Sequence, residues 1–203
     1  MQIERLEIAN FLSYEAATLN LKDRGLLLVE GENRDQGGSN GAGKSSLFEA
    51  ICWALFGRVN SGLRGDDIRR FGTSSTRVAV LLDVDGQAVS VVRHRAHLEH
   101  ANTLHLIING EDSRGASDRD TQAKLENLLH LDWDTFISVA LFPQGKQGIA
   151  SWTDAEQKTV LDTILNLDRF RKGRERVMHM LTRDLARRST LEIESREIGR
   201  AHV

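Results

Sequence analysis

The amino-acid sequence predicts an α/β fold, and three observations carry that prediction. Short stretches of strand-like alternation open the chain and recur near its middle. An apolar run, "LLLVEG", breaks into the glycine-rich stretch "GGSNGAGKSS" at 37–46. An apolar segment with helical spacing begins directly after that stretch, so strand, glycine loop and helix follow one another.

Taken in order, "IERLEIANF" places Ile3, Leu6 and Ile8 in alternation, and "ATLNL" and "GLLLVEG" follow after turn-like breaks. These read as three short strands. The third, Leu26 to Val29, is apolar on both faces and is expected to be central in the sheet. From Ser45 to Phe56, residues Leu47, Phe48, Ile51, Cys52, Ala54 and Leu55 keep helical spacing, and Gly57 is a natural stop. Val78–Val84 and Ala88–Arg93 form a hairpin by pattern, joined at Asp85-Gly86, and "TLHLIINGED" adds another strand. "SDRDTQAKLENLLHL" opens with capping residues and sets Leu125, Leu128 and Leu129 on one helical face. "DWDTFISVALFPQGKQG" is an apolar segment running into a Pro-Gln-Gly corner, and "TDAEQKTVLDTILNLDRF" follows as a capped amphipathic helix. Residues 169–188 then carry eight Lys or Arg, with Met178, Leu181 and Leu185 spaced as in a heptad seam.

Composition narrows the class. Of 203 residues 40% are hydrophobic and 28% charged, which excludes disordered and collagen-like chains. The net charge of −2 does not mark a nucleic-acid binder, so any basic surface must be local. The single cysteine, Cys52, has no intrachain disulfide partner and sits in the apolar pattern of the predicted helix, where packing is the expected role. No basic-then-apolar leader opens the chain and no apolar run approaches a membrane span, so a cytoplasmic protein without membrane contact is expected.

The chemistry sits at Gly38-Ser39-Asn40-Gly41-Ala42-Gly43-Lys44-Ser45, which fits G-x-x-x-x-G-K-[ST] at every position. Glycines let backbone N–H groups approach phosphate oxygens, and the positive end of the following helix adds to that field. The Lys44 ammonium is expected between the outer phosphates of ATP, with the Ser45 hydroxyl on Mg²⁺. A chance match in a surface loop is the competing reading, and the strand before and helix after are the context that the motif requires.

Further stretches supply a resemblance. "IANFLSYEAATLNL", with Asn10, Phe11, Ser13 and Tyr14, resembles the opening strand pair of the SbcC family of DNA-repair ATPases and of the related SMC heads. "FISVALFPQGKQGIASWTDAEQKTVLDTILNLDRF" resembles the same family's Q-loop, with Gln144 followed by Gly145 and a helix leading to the coiled coil. Lys44 and Gln144 are 100 residues apart, as in SbcC and SMC heads, and the "SVALFPQG" form looks more like SbcC.

The resemblance implies a P-loop NTPase of the ABC/SMC type: the N-terminal lobe of a head at 1–168, with mixed sheet, P-loop 38–46 and Q-loop 142–147. The start of a coiled-coil helix follows at 169–197. It implies that Gly38, Asn40, Gly41, Gly43, Lys44, Ser45 and Ser46 hold the phosphates, and that Gln144 reaches Mg²⁺ and the attacking water. The alternative for Gln144 is a turn residue after Pro143. The implied partners are double-stranded DNA, an SbcD-like nuclease, the protein's own C-terminal lobe and a second head.

Two departures stand out. Glu32–Gly37 looks like an insertion, so either Gly31 or Gly38 begins the cradle, and Leu12 lies where some relatives have an arginine that touches nucleotide. No Walker B string and no Leu-Ser-Gly-Gly signature occurs, as expected of half a head that hydrolyses ATP only when completed. Ile198–Val203 matches the translation of a sequencing-library adapter, ATC GGA AGA GCA CAC GTC, and is expected to be non-native. The rival functions are an SMC-type architectural DNA clamp and, less well supported, a small-molecule P-loop kinase. The basic run from Arg169 is either a DNA-phosphate contact or a solvated helix face. His94, His97 and His100 are expected to point to opposite sides of a strand end and to hold no metal. Trp53, Trp133 and Trp152 are too scattered to form a stacking platform.

Overall fold

The computed structural model describes residues 1–33, 37–39, 41–140, 152–164 and 168–201. The chain divides into two compact units, Met1–Gly148 and Ile149–Val203.

The first unit is built on six strands: β1 (Gln2–Phe11), β2 (Tyr14–Asn20), β3 (Thr76–Val84), β4 (Gln87–Arg95), β5 (Leu104–Ile108) and β6 (Glu111–Asp112). They form one sheet in the order β2-β1-β3-β4-β5-β6. Register follows the period-2 pattern of the sequence. Leu6 faces Val80, Val80 faces Val91 and Val91 faces Leu106, a row of fully buried side chains across four strands. The opposite face carries Arg5, Glu7 and Arg77, joined by ion pairs of 2.9 and 3.1 Å. Three helices bury the apolar side: α1 (Lys44–Phe56), α2 (Asp118–Leu129) and α3 (Trp133–Val139). Leu47, Trp53 and Leu55 of α1, Leu125 and Leu129 of α2, and Phe136 and Ile137 of α3 join the strand residues in a single core.

Each helix starts where its chemistry dictates. Ser117 accepts a hydrogen bond from the Asp120 N–H at 3.2 Å, and Asp132 accepts one from the Thr135 N–H at 2.8 Å. Helix α1 instead begins after Gly43 in the left-handed region and ends at Gly57, also left-handed, as the sequence predicts. Cys52 is fully buried, and that burial pushes its thiol up to about 12. Phe48 departs from the expected apolar face and is exposed. The buried face takes in Trp53 and Glu49.

The α/β class stands, but two expectations about the sheet do not. Every pairing among the described residues is antiparallel, and Leu26–Val29 forms no strand. Leu26 is fully exposed and Leu28 is 81% exposed, so this is no central strand in this chain. β2 and β3 occupy both edges of β1, and Leu26–Val29 pairs with no described strand.

The far end of α1 is tied to the sheet by an arginine. Arg93 projects from the apolar side of β4, and its Nε donates to the Ala54 carbonyl at 3.2 Å. One Nη donates to Gln122 Oε1 at 2.6 Å, and Gln122 Nε2 donates in turn to the Leu55 carbonyl at 3.0 Å. Desolvation lowers the Arg93 pKa to about 10, against the pull of Asp118 and Glu126, so the group stays charged at pH 7 beside the negative end of α1.

In the second unit, α4 (Asp154–Ile164) starts with a capping box. The Thr153 N–H donates to Glu156 Oε2 at 2.9 Å, and the Glu156 N–H donates back to Thr153 Oγ1 at 3.4 Å. The 34-residue α5 (Asp168–Ala201) exposes Met178, Leu181 and Leu185, the expected seam positions. Among the described residues no helix is long and apolar enough to cross a membrane.

Replacing Arg93 by Met is expected to lower the unfolding free energy by about 2–4 kcal/mol, because two α1 carbonyls lose their donor network inside the fold. Replacing Arg114, whose ion pair with Asp112 is exposed and screened by solvent, is expected to leave it essentially unchanged. Urea unfolding of the two variants measures the difference.

Candidate functional site

The glycine loop lies where β1, β2 and α1 meet. Gly43 takes φ 84°, and a β-carbon there would lie 2.7 Å from Ser13 Oγ and 3.6 Å from the Tyr14 ring. Only glycine avoids both the backbone strain and the collision. Ser13, at the turn between β1 and β2, also donates to Ser46 Oγ at 3.0 Å, so the turn braces the first turn of α1 from below. Beside Ser13, Phe11 is fully buried against Trp53 of α1, with ring centres 5.5 Å apart.

The two candidate glycines differ in packing. A β-carbon on Gly31 would lie 2.7 Å from Ala42 Cβ and 3.2 Å from Lys44 Cγ, whereas one on Gly38 would meet nothing within 4 Å. The inserted segment is closed at its neck: the Asn33 N–H donates to the Gly38 carbonyl at 2.8 Å, and the Gly37 N–H donates to the Asn33 carbonyl at 2.9 Å. Gly31 therefore packs directly on the loop and the insertion leaves from its side.

The other predicted residues fall around this frame. Gly38 and Gly41 are exposed, each with φ 76°. Lys44 is half-buried and its ammonium donates to the Ser39 carbonyl, which lays the charge across the loop. Ser45 is exposed, and its side chain makes no hydrogen bond to a described residue. Asn40 and Gln144 lie outside the described residues.

These residues fit a nucleoside triphosphate with Mg²⁺. The loop is too tight for a β-carbon at Gly31 and Gly43, α1 presents its positive end with no acidic residue in its first turn, and a lysine and an exposed serine follow.

Some supporting residues carry no signal in the sequence. Glu49 is nearly buried on α1, and its carboxylate accepts the Asn60 and Ser61 N–H groups at 2.6 and 2.8 Å, anchoring the loop after α1. That loop bounds a cavity of about 610 Å³ whose lining includes Trp53, Arg58, Arg64, Arg95 and Trp133. Gln122, an ordinary polar helix residue in the sequence, holds Arg93 against α1.

Gly43→Ala is expected to destabilise the chain by about 1–2 kcal/mol, from the left-handed φ and the contact with Ser13 together. Adding Ser13→Gly should recover only the steric part. Unfolding midpoints of the single and double variants measure the split.

Comparison with known proteins places the chain. The AAA_23 family model, an AAA domain, matches residues 5–197. The "DNA double-strand break repair Rad50 ATPase" of Thermoplasma volcanium is 30% identical over 177 residues, 85% of this chain and 19% of that protein. The SbcC component of the nuclease SbcCD from Deinococcus radiodurans is 31% identical over 116 residues, 54% of this chain and 13% of its own length. Among solved structures, the SMC head domain from Thermotoga maritima aligns with a TM-score of 0.35 at 17% identity, covering 81% of this chain and 72% of that one. The chain thus spans about a fifth or less of these two sequence relatives. With nearly its whole length matched, it belongs to the AAA_23 family of AAA domains, as an SbcC/Rad50-like N-terminal lobe.

Proposed function

We propose that the chain is the ATP-binding half of an SbcC-like ATPase head, and that the complete head couples ATP binding and hydrolysis to the processing of DNA double-strand ends with a nuclease partner. The observation that carries this reading is the loop at the start of α1, held by Ser13 and Gly31 in a form with no room for a β-carbon at Gly31 or Gly43. Two relatives support the wider role by their names, one a break-repair ATPase and the other part of a nuclease.

In this reading Gly38, Asn40, Gly41 and Gly43 cradle the phosphates with backbone N–H groups, and Ser46 completes the cradle. Lys44 leaves the Ser39 carbonyl to place its charge between the outer phosphates, and Ser45 gives its hydroxyl oxygen to Mg²⁺. The Gln144 amide orients water and contributes an oxygen to the same ion. Bound Mg²⁺ supplies neutralisation of the charge that develops on the transferring phosphoryl group. Residues 1–168 form the lobe, 169–197 begin a coiled coil and 198–203 are a non-native tail.

The exposed apolar segment Leu26–Val29 supports a missing second lobe, since Leu26 and Leu28 offer a partner strand both backbone and side chains. Duplex DNA, a second head and the nuclease make up the rest of the assembly, and catalysis waits for it.

Lys44→Ala is expected to abolish ATP binding by the complete head while leaving it folded. Unchanged affinity in calorimetry would refute the phosphate assignment. Robust ATP turnover by the 203-residue chain alone would overturn the half-head reading. Changing Leu26 and Leu28 together to Lys is expected to alter the stability of this chain by less than ~0.5 kcal/mol, because both are exposed. The same pair should prevent association with a separately expressed C-terminal lobe, read by analytical ultracentrifugation.

A further inference from the structure

Four of the chain's seven histidines, His94, His97, His100 and His105, fall within twelve residues, and the fold gathers them. The expectation that they face opposite sides of a strand fails because β4 stops at Arg95. The chain then turns through Ala96 and Ala101, at φ 52° and 47°, and His97 and Ala101 exchange backbone hydrogen bonds of 3.0 and 2.8 Å. That curl returns His100 over His94. The ring centres of His94 and His100 are 4.6 Å apart, those of His94 and His105 are 5.5 Å apart, and those of His100 and His105 are 5.3 Å apart.

Ring centres at this spacing are compatible with ligation once the rings turn. An imidazole bound to zinc at about 2.0–2.1 Å has its ring centre about 3 Å from the ion, so tetrahedral ligands place their ring centres about 5 Å apart. His94 is only 7% exposed, and its Nδ1 is buried with no hydrogen-bond partner among the described residues, a state that costs desolvation energy.

The fourth histidine has another task. His97 Nδ1 faces the N–H groups of Glu99 and His100 at 3.2 and 3.4 Å, which shapes the loop that carries His100. His105 Nε2 lies 3.1 Å from Thr103 Oγ1, an orienting contact that leaves Nδ1 for a ligand.

We propose that His94, His100 and His105 form a site for a divalent transition-metal ion of the zinc class, closing the β4–β5 loop onto the sheet. As the rings stand, no three His, Cys, Asp or Glu side chains among the described residues converge as a ligand set. Binding requires the half-buried His100 and His105 rings to turn, with the backbone already in place. Imidazole donors select zinc, cobalt, nickel or copper over magnesium, so this site is separate in chemistry from the P-loop.

The 203-residue chain, stripped with EDTA and dialysed, is titrated with Zn²⁺ by calorimetry and with Co²⁺ by visible absorption. One ion per chain is expected, with the d–d bands of a tetrahedral cobalt site and a rise in melting temperature. His100→Gln, at a half-buried position that leaves the core intact, should weaken binding at least ~10-fold and abolish the bands, while His179→Gln on α5 changes neither. Absence of stoichiometric binding overturns the proposal, as does binding that His100→Gln leaves unchanged in a chain with unaltered circular dichroism.

Discussion

Helix α1 is fixed at both ends by groups from the sheet, and the rest of the first unit is arranged around that constraint. At its C-terminal end Arg93 and Gln122 take up the Ala54 and Leu55 carbonyls, which a helix leaves without intrahelical donors. At its N-terminal end Gly43 and Ser46 rest on Ser13. A phosphate loop works only if its amides are held before ligand arrives, since disorder in the loop would have to be removed at binding. Anchoring both ends of the helix to one antiparallel sheet provides that rigidity without any contact from the phosphate side.

The predicted strands β1 to β5, the hairpin at Asp85-Gly86, helix α1 with its glycine stop and the caps of α2 and α4 were legible because local chemistry decides them. Alternation sets the faces of β3 and β4, and Ser117 or Thr153 has one obvious use at a helix start. The P-loop was legible as a motif for the same reason. What could not be read was anything that depends on a distant partner. Leu26–Val29 has the composition of a buried strand, yet a strand needs a partner, and this segment pairs with none of the described strands. Arg93 looked like the polar end of a strand and instead holds α1. The histidines were placed at a strand end with alternating faces, whereas β4 stops at Arg95 and the chain turns through Ala96 and Ala101 at positive φ.

Burying the exposed Leu26 and Leu28 side chains against a partner would contribute about 3–6 kcal/mol, enough to bias assembly of two lobes without deciding it alone. Met178, Leu181 and Leu185 on α5 present a second apolar surface of the same kind. Leu26 and Leu28 form a contiguous exposed pair, whereas Phe48, a single exposed aromatic, is ordinary for a protein surface.

The turn between β1 and β2 shows how far the loop's positioning extends. Asn10 and Leu12 both take positive φ, at 53° and 47°, a conformation that costs a non-glycine residue about 1 kcal/mol or more. It persists because the surroundings overdetermine it. Phe11 is fully buried under α1, the Leu12 N–H donates to the Ile68 carbonyl at 2.9 Å, and the Asn10 carbonyl accepts the Arg70 N–H at 2.9 Å. A relaxed turn would swing Ser13 away from Gly43 and Ser46. Segment 68–70, far from the glycine motif in sequence, therefore sets the position of the serine that supports it, and strain in the turn is the means by which that position is enforced.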